Sequence, residues 1–238
     1  MYKNQVNGVE FMSDYENSLF EVEPTLVDNI FDIAFPDSIK KMISTNIYLA
    51  TRATKEIRDM FLETPRAARR VAGIILPTYI DKYLISAINN LDINPLKIKA
   101  VERKGAGGSS YTEYISNNCK FHIKKTARPS LPKEAYHRKT NAESNKIFLN
   151  YGPNYIPEDI NLPFAIVIFG HKDLDLKYIK IGFPTWDYTG WQNGKLIEIS
   201  NYISTDEADR IEKKIPMMKE QLKVDFEKIE KEYRLTAK

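Results

Sequence analysis

Between Lys97 and Thr140 this 238-residue chain carries eleven bases against three acids, a net of +8 in forty-four residues, although the whole chain carries only +3. The bases are Lys97, Lys99, Arg103, Lys104, Lys120, Lys124, Lys125, Arg128, Lys133, Arg138 and Lys139. Like charges gathered on one stretch repel each other unless a polyanion neutralises them, and phosphate backbones do so with release of counterions. Tyr111, Tyr114, Phe121 and Tyr136 lie among the bases and offer faces on which nucleobases stack. A polar outer sheet face would also carry lysines for solubility alone; the locality of the surplus favours a polyanion. The expectation is a surface for DNA or RNA, built from Lys97, Lys99, Arg103, Lys120, Lys124, Lys125, Arg128, Arg138 and Lys139. A smaller basic cluster, Arg66, Arg69 and Arg70, has the pattern of a solvated helix face.

Two kinds of cleavage chemistry are compatible with such a surface. Metal-dependent phosphodiester hydrolysis needs acids to hold Mg²⁺ and a cation near the attacked phosphate. Glu102 and Lys104 sit two apart at the end of an alternating segment, on one face, with Asp92 ten residues upstream. This Glu-x-Lys resembles the active-site strand of the PD-(D/E)xK nucleases, whose fold is that of restriction endonucleases. The resemblance implies Glu102 and Lys104 as catalytic residues, Asp92 and Glu102 as metal ligands, and Mg²⁺ as cofactor. It covers about thirteen residues, and the chain departs from the family by placing a helix and a Pro turn, rather than a strand, around the first acid. The other chemistry is metal-free: His122 and His137 lie in the basic segment, and a histidine pair with Lys124 or Arg138 can act as general acid and base on RNA. His122, His137 and His171 have no short ligand spacing, which argues against zinc. His171 is expected to end a strand. The lone Cys119 reads as a reduced, buried thiol; three residues from His122 in a strand, it points to the other side of the sheet. No phosphate-binding P-loop, dinucleotide fingerprint, nucleophile elbow or kinase signature is present, and GAGGSS lacks the Lys-Ser/Thr and helix of a nucleotide loop.

The elements that must position these groups change period near Asn94. Before it, a short helix follows Pro24. A second runs from Pro36-Asp37-Ser38 to about Leu62 on the stripe Ile39, Met42, Ile43, Ile47, Ala50, Ile57 and Phe61. A third starts at Thr64-Pro65, with Pro77 expected to kink or split it. After it, Leu96–Lys104, Tyr111–Ile115 and Cys119–Lys125 alternate as strands. A Pro-punctuated loop follows, with a short helix reaching Asn145. Pro163–Gly170 is apolar on both faces and belongs in the middle of a sheet. Tyr178–Phe183 and Leu196–Ile199 are further strands, joined by a loop holding Trp186 and Trp191. Those tryptophans are expected to cover a sheet edge. A last helix is expected from Thr205 to about Leu235, with Leu222, Phe226, Ile229 and Tyr233 on one face.

The predicted fold is therefore α+β: N-terminal helices, a central mostly antiparallel sheet and a long C-terminal helix, in one domain over 1–238. A helical lobe over 1–94 packed on a sheet region over 95–238 is compatible with the same pattern. Hydrophobic residues at 42% and charged residues at 28% describe a globule able to bury a core. No basic start precedes an apolar run, and apolar stretches such as VAGIIL fall far short of about 20 residues, so a cytoplasmic protein without a membrane partner is expected. The alternative function is a non-catalytic interaction or inhibitor protein, acting through the Trp loop, the C-terminal helix or the first 36 residues, where Lys3 stands against seven acids.

Overall fold

The structure, a computed structural model, describes residues 24–59, 65–91, 94, 96–105, 110–146, 162–204 and 206. The described residues form four α-helices and one mixed sheet, an α+β fold. The helices are α1 (Pro24–Ala34), α2 (Asp37–Asp59), α3 (Pro65–Asn89) and α4 (Tyr136–Ala142). The strands are β1 (Lys99–Lys104), β2 (Ser110–Ile115), β3 (Lys120–Lys125), β4 (Phe164–Lys172), β5 (Asp175–Gly182) and β6 (Ile197–Glu198), hydrogen-bonded in that order. The two-sided apolar run does lie centrally: Phe164 to Gly170 of β4 are all buried. The expected C-terminal helix and its stripe at Leu222, Phe226, Ile229 and Tyr233 lie outside the described residues, as do Asp92 and the glycine turn at 106–109.

The chain divides into two compact units, each made of discontinuous segments. The first holds α1, β1 to β3, α4, the start of β4, the end of β5, and the chain from there through β6. Within it α1 buries Val27, Phe31, Ala34 and Phe35. Phe35 meets Phe121 of β3 edge-on at 5.6 Å, and Phe31 meets Phe183 at 4.6 Å. Tyr114 stacks on Phe121 at 5.0 Å, so one face of β2 and β3 closes an aromatic core against α1. The open carbonyl of Ile33 at the end of α1 is met by Asn118 Nδ2 at 3.1 Å. Entry into β1 is set by Asn94, whose side-chain amide bonds both the N–H and the C=O of Ile98, at 2.9 and 3.0 Å. The strand consequently begins at Lys99, after Lys97 in the left-handed region with φ 47°, rather than at Leu96.

The second unit holds α2, α3, the end of β4 and the start of β5. Ile39, Ile43, Ile47, Ala50 and Ile57 of α2 are buried, as their spacing predicts. Thr51 and Thr54 are buried too, and their hydroxyls donate back to the carbonyls of Ile47 and Ala50, each at 2.7 Å. The expected split at Pro77 does not occur: α3 continues through it. Pro77 lacks the N–H that would bond the Gly73 carbonyl, and both residues are exposed, so the loss falls where solvent has access. That continuity joins VAGIIL to the turns beyond it. Ala68–Asn89, 22 residues, is then long and apolar enough to cross a membrane by length and composition, which the sequence reading did not anticipate. It holds the charged pair Asp81 and Lys82, and buries Ile75, Leu76, Tyr79, Ile80 and Leu84. The β4–β5 hairpin turns on Asp173 and Leu174, at φ 52° and 65°. β4 runs one residue past His171, the expected end, to Lys172; the His171 Nδ1 accepts from the Leu174 N–H in the turn at 3.2 Å.

Candidate nucleic-acid interface

Strand register decides which of the basic residues share a surface. Lys99 pairs with Ile115, Val101 with Glu113 and Arg103 with Tyr111; Tyr114 pairs with Phe121 and Ile115 with Lys120. Residues opposite each other point the same way, and alternate residues point oppositely. Lys99, Arg103, Lys120 and Lys124 therefore lie on one face, together with Tyr111, Glu113 and His122. Glu102, Lys104 and Lys125 belong to the other, the face of Tyr114 and Phe121 that supports the aromatic core. The expected basic segment is thus split by the pleat into a principal face of four cations and a few exposed strand-end residues behind it.

The helix α4 lies against the principal face. The chain leading into it is held by Arg138, whose guanidinium donates to Lys133 O at 2.6 Å, and by Tyr188, whose hydroxyl donates to Pro132 O at 3.3 Å. Beyond α4, the buried Asn145 donates to Phe164 O and Pro184 O at 2.9 and 2.8 Å, and accepts from Phe164 N–H at 2.7 Å. One amide so ties the end of the helix to β4 and to the Trp loop.

Glu113 lies under α4 as a buried carboxylate. It accepts from Arg103 Nε at 3.0 Å and from Asn141 Nδ2 at 2.8 Å. Continuing the β2–β3 register by one residue sets it across from His122, whose Nε2 lies 3.5 Å from Oε1. Burial alone would raise its pKa, but the donors from His122, Arg103 and Asn141 outweigh it and hold the carboxyl at about 2. The buried His122 ring packs edge-on to Phe164 at 4.8 Å and to Tyr111 at 5.0 Å. Its burial lowers its pKa in spite of Glu113, which pulls the other way.

Above this pair stands His137 of α4, half-buried and stacked on Tyr111 with ring centres 4.1 Å apart. Its ring centre is 5.5 Å from that of His122. Burial first, then the charge of Arg138, that of His122 when protonated, and that of Lys124, push its pKa down to about 4. Arg138 Nη1 lies 3.4 Å from His137 Nε2, while its Nε is buried with no hydrogen-bond partner. Lys124, exposed on β3, has its pKa lowered by burial of its stem and by Arg138. The arrangement therefore combines a neutral imidazole, a phenol, exposed ammonium and guanidinium groups, and a buried acid that keeps the imidazole beneath it oriented.

Of the residues the sequence marked, Lys99, Arg103, Lys120 and Lys124 come together on this face. Lys97 is exposed before β1, and Arg128 is exposed in the bends leading to α4. Lys139 is exposed on α4 and pairs with Glu134 at 3.3 Å. Arg138 is buried and bonds Lys133 O ahead of its own helix rather than projecting outward. Glu102 and Lys104 are exposed on the other face. Among the described residues no group of three His, Cys, Asp or Glu stands together as metal ligands; Asp92, the proposed first acid, is not among those residues. Cys119 is buried, and its thiol is pushed up to about 12 by burial, as an inert core thiol should be. Sequence reading missed Glu113 and Asn141. The available signal was a lone acid in an otherwise basic strand pair, which needs a partner when its neighbours are buried.

In the Trp loop, Trp191 covers Gly182: a methyl group there would come within 2.5 Å of the indole. Trp186 is exposed, with Lys146 Nζ 5.0 Å above its ring. Comparison with protein-family models, curated proteins and solved structures finds no match to this chain.

Proposed function

We propose that this protein binds nucleic acid through the β-sheet face bearing Lys99, Arg103, Lys120 and Lys124. The observation that supports the reading is their shared face: two cations from β1 and two from β3 lie on the side of the sheet that carries the half-buried Tyr111 of β2 between them. Neighbouring strands are about 4.8 Å apart, so the cations of β1 and β3 stand roughly 10 Å apart across β2, a separation that lets the two pairs meet different phosphates of one strand. Phosphate contacts of this type bind without base selectivity and weaken with salt. A cytoplasmic setting fits the same reading, since a lone buried thiol at Cys119 is the usual state in a reducing compartment.

The test is equilibrium binding of labelled single-stranded RNA and DNA to two sets of variants. Lys99→Ala/Lys120→Ala/Lys124→Ala is expected to weaken binding at least tenfold for every sequence tried. Lys104→Ala/Lys125→Ala removes cations from the opposite face and is expected to weaken binding less than threefold. Equal losses from both sets would overturn the assignment of the face, and failure of the wild type to bind at low salt would overturn the function.

A further inference from the structure

We propose that the surface where α4 packs on this sheet face is a metal-independent RNA-cleaving site, with His137 as general base, Lys124 as general acid and Arg103 as the phosphate contact. The inference rests on the nucleic-acid reading above and assigns a reaction to the same surface. His137, Lys124 and Arg103 all reach solvent, whereas Glu113 and His122 are buried beneath them. The two layers have different tasks. Glu113 gathers Arg103, Asn141 and His122 around one carboxylate and so fixes strand, helix and imidazole together. Tyr111, stacked on His137, fixes the plane of the reactive ring. Glu113, His122 and Tyr111 are positioning residues.

The chemistry balances without a metal or a co-reactant. Neutral His137, its Nε2 released from the 3.4 Å contact with Arg138 Nη1, takes the proton of a ribose 2′-hydroxyl as the 2′-oxygen forms its bond to the adjacent phosphorus. The bond from phosphorus to the 5′-oxygen breaks, and the Lys124 ammonium gives that oxygen a proton. The products are a 2′,3′-cyclic phosphate and a free 5′-hydroxyl. DNA, lacking the 2′-hydroxyl, binds but is not cut. In the free protein His137 is held neutral by burial and by Arg138, His122 and Lys124, with Glu113 opposing them. A bound phosphate offsets Arg138 and Lys124, so its arrival strengthens His137 as a base at the moment one is needed.

The experiment uses the full chain in EDTA with three oligonucleotides of one sequence: RNA, 2′-O-methyl RNA and DNA. Binding and cleavage are followed together. All three are expected to bind, and RNA alone to be cut, leaving cyclic-phosphate ends. His137→Asn and Lys124→Ala, purified in parallel, are expected to lose about 10²–10⁴-fold and at least tenfold in rate respectively, with His137→Asn retaining affinity for 2′-O-methyl RNA. The His137 imidazole, followed by NMR, should titrate at higher pH when 2′-O-methyl RNA is bound. Binding without cleavage, or cleavage unchanged in both variants, overturns the site and leaves the binding function standing. Cleavage that appears only with Mg²⁺ overturns it in favour of metal chemistry. Absence of binding to all three overturns both readings.

Discussion

Glu113 is the residue on which the principal face depends. A carboxylate this buried is stable as an anion only while its donors stay in place. Glu113→Gln keeps the shape and removes the charge that Arg103 and His122 face, and it presents an N–H₂ group to one or more existing donors. We expect a loss of about 1–3 kcal/mol of stability, from leaving buried polar groups mismatched, read by urea unfolding. An unchanged midpoint would show that the carboxylate does not organise the face. The same cluster sets a pH dependence. His137 is held at about 4 against an ordinary 6.5, and His122 is lowered as well. Folding then favours the neutral rings, so their contribution is complete above about pH 6.5 and is lost as pH falls toward 4, because the unfolded chain takes up protons first. Glu113 acts lower down, between its ordinary 4.5 and about 2. Stability is therefore expected to begin falling below about pH 6.5, before carboxylates titrate. In His137→Asn the first part of that fall should be shallower. A wild-type profile flat from pH 7 to 5 would contradict these shifts.

At the scale of elements, alternation and helical spacing made most of the described strands and helices legible, to within a few residues. The two-sided run at Phe164–Gly170 placed itself in the sheet because no polar position interrupts it. What the sequence did not reveal was register. Lys124 and Lys125 alternate in any register, but only the Tyr114–Phe121 pairing shows that Lys124 is the one sharing a face with Arg103. Glu113 and His122 are nine residues apart and meet only because β2 and β3 pair in that register; His137 joins them only because α4 folds back. No local pattern encodes either event. The split expected as one outcome at Pro77 failed for a different reason. Propensity describes an isolated helix, and here the break is on an exposed surface while Leu76 and Ile80 beside it are held in the core. Pro77→Ala should therefore restore a helical hydrogen bond at no packing cost and raise stability by about 1–3 kcal/mol. A lower melting temperature would indicate that the proline is needed where it stands. Gly182→Ala should act oppositely. Its methyl group would lie 2.5 Å from Trp191 and 2.8 Å from Leu196, and overpacking of this kind costs about 1–3 kcal/mol. Thermal melts with tryptophan fluorescence would show the lower midpoint and a displaced indole; an unaltered melt would mean that the loop adjusts freely.

For the whole molecule, the charge arithmetic explains why the net value of +3 conceals the feature that matters. The surplus of +8 lies in forty-four residues, offset by acidic excess on either side. A field of that kind concentrates phosphate at one surface while leaving the molecule near neutrality. The catalytic inference depends on this surface, and the surface does not depend on catalysis. The most direct measurement is the salt dependence of wild-type affinity for a single-stranded oligonucleotide. Each phosphate neutralised on a single strand contributes about 0.7 to the slope of log affinity against log salt. Engagement of Lys99, Arg103, Lys120 and Lys124 predicts a slope of about −2 to −3, reduced toward zero in the triple variant. A wild-type affinity that does not change with salt, or no binding at low salt, would contradict the account.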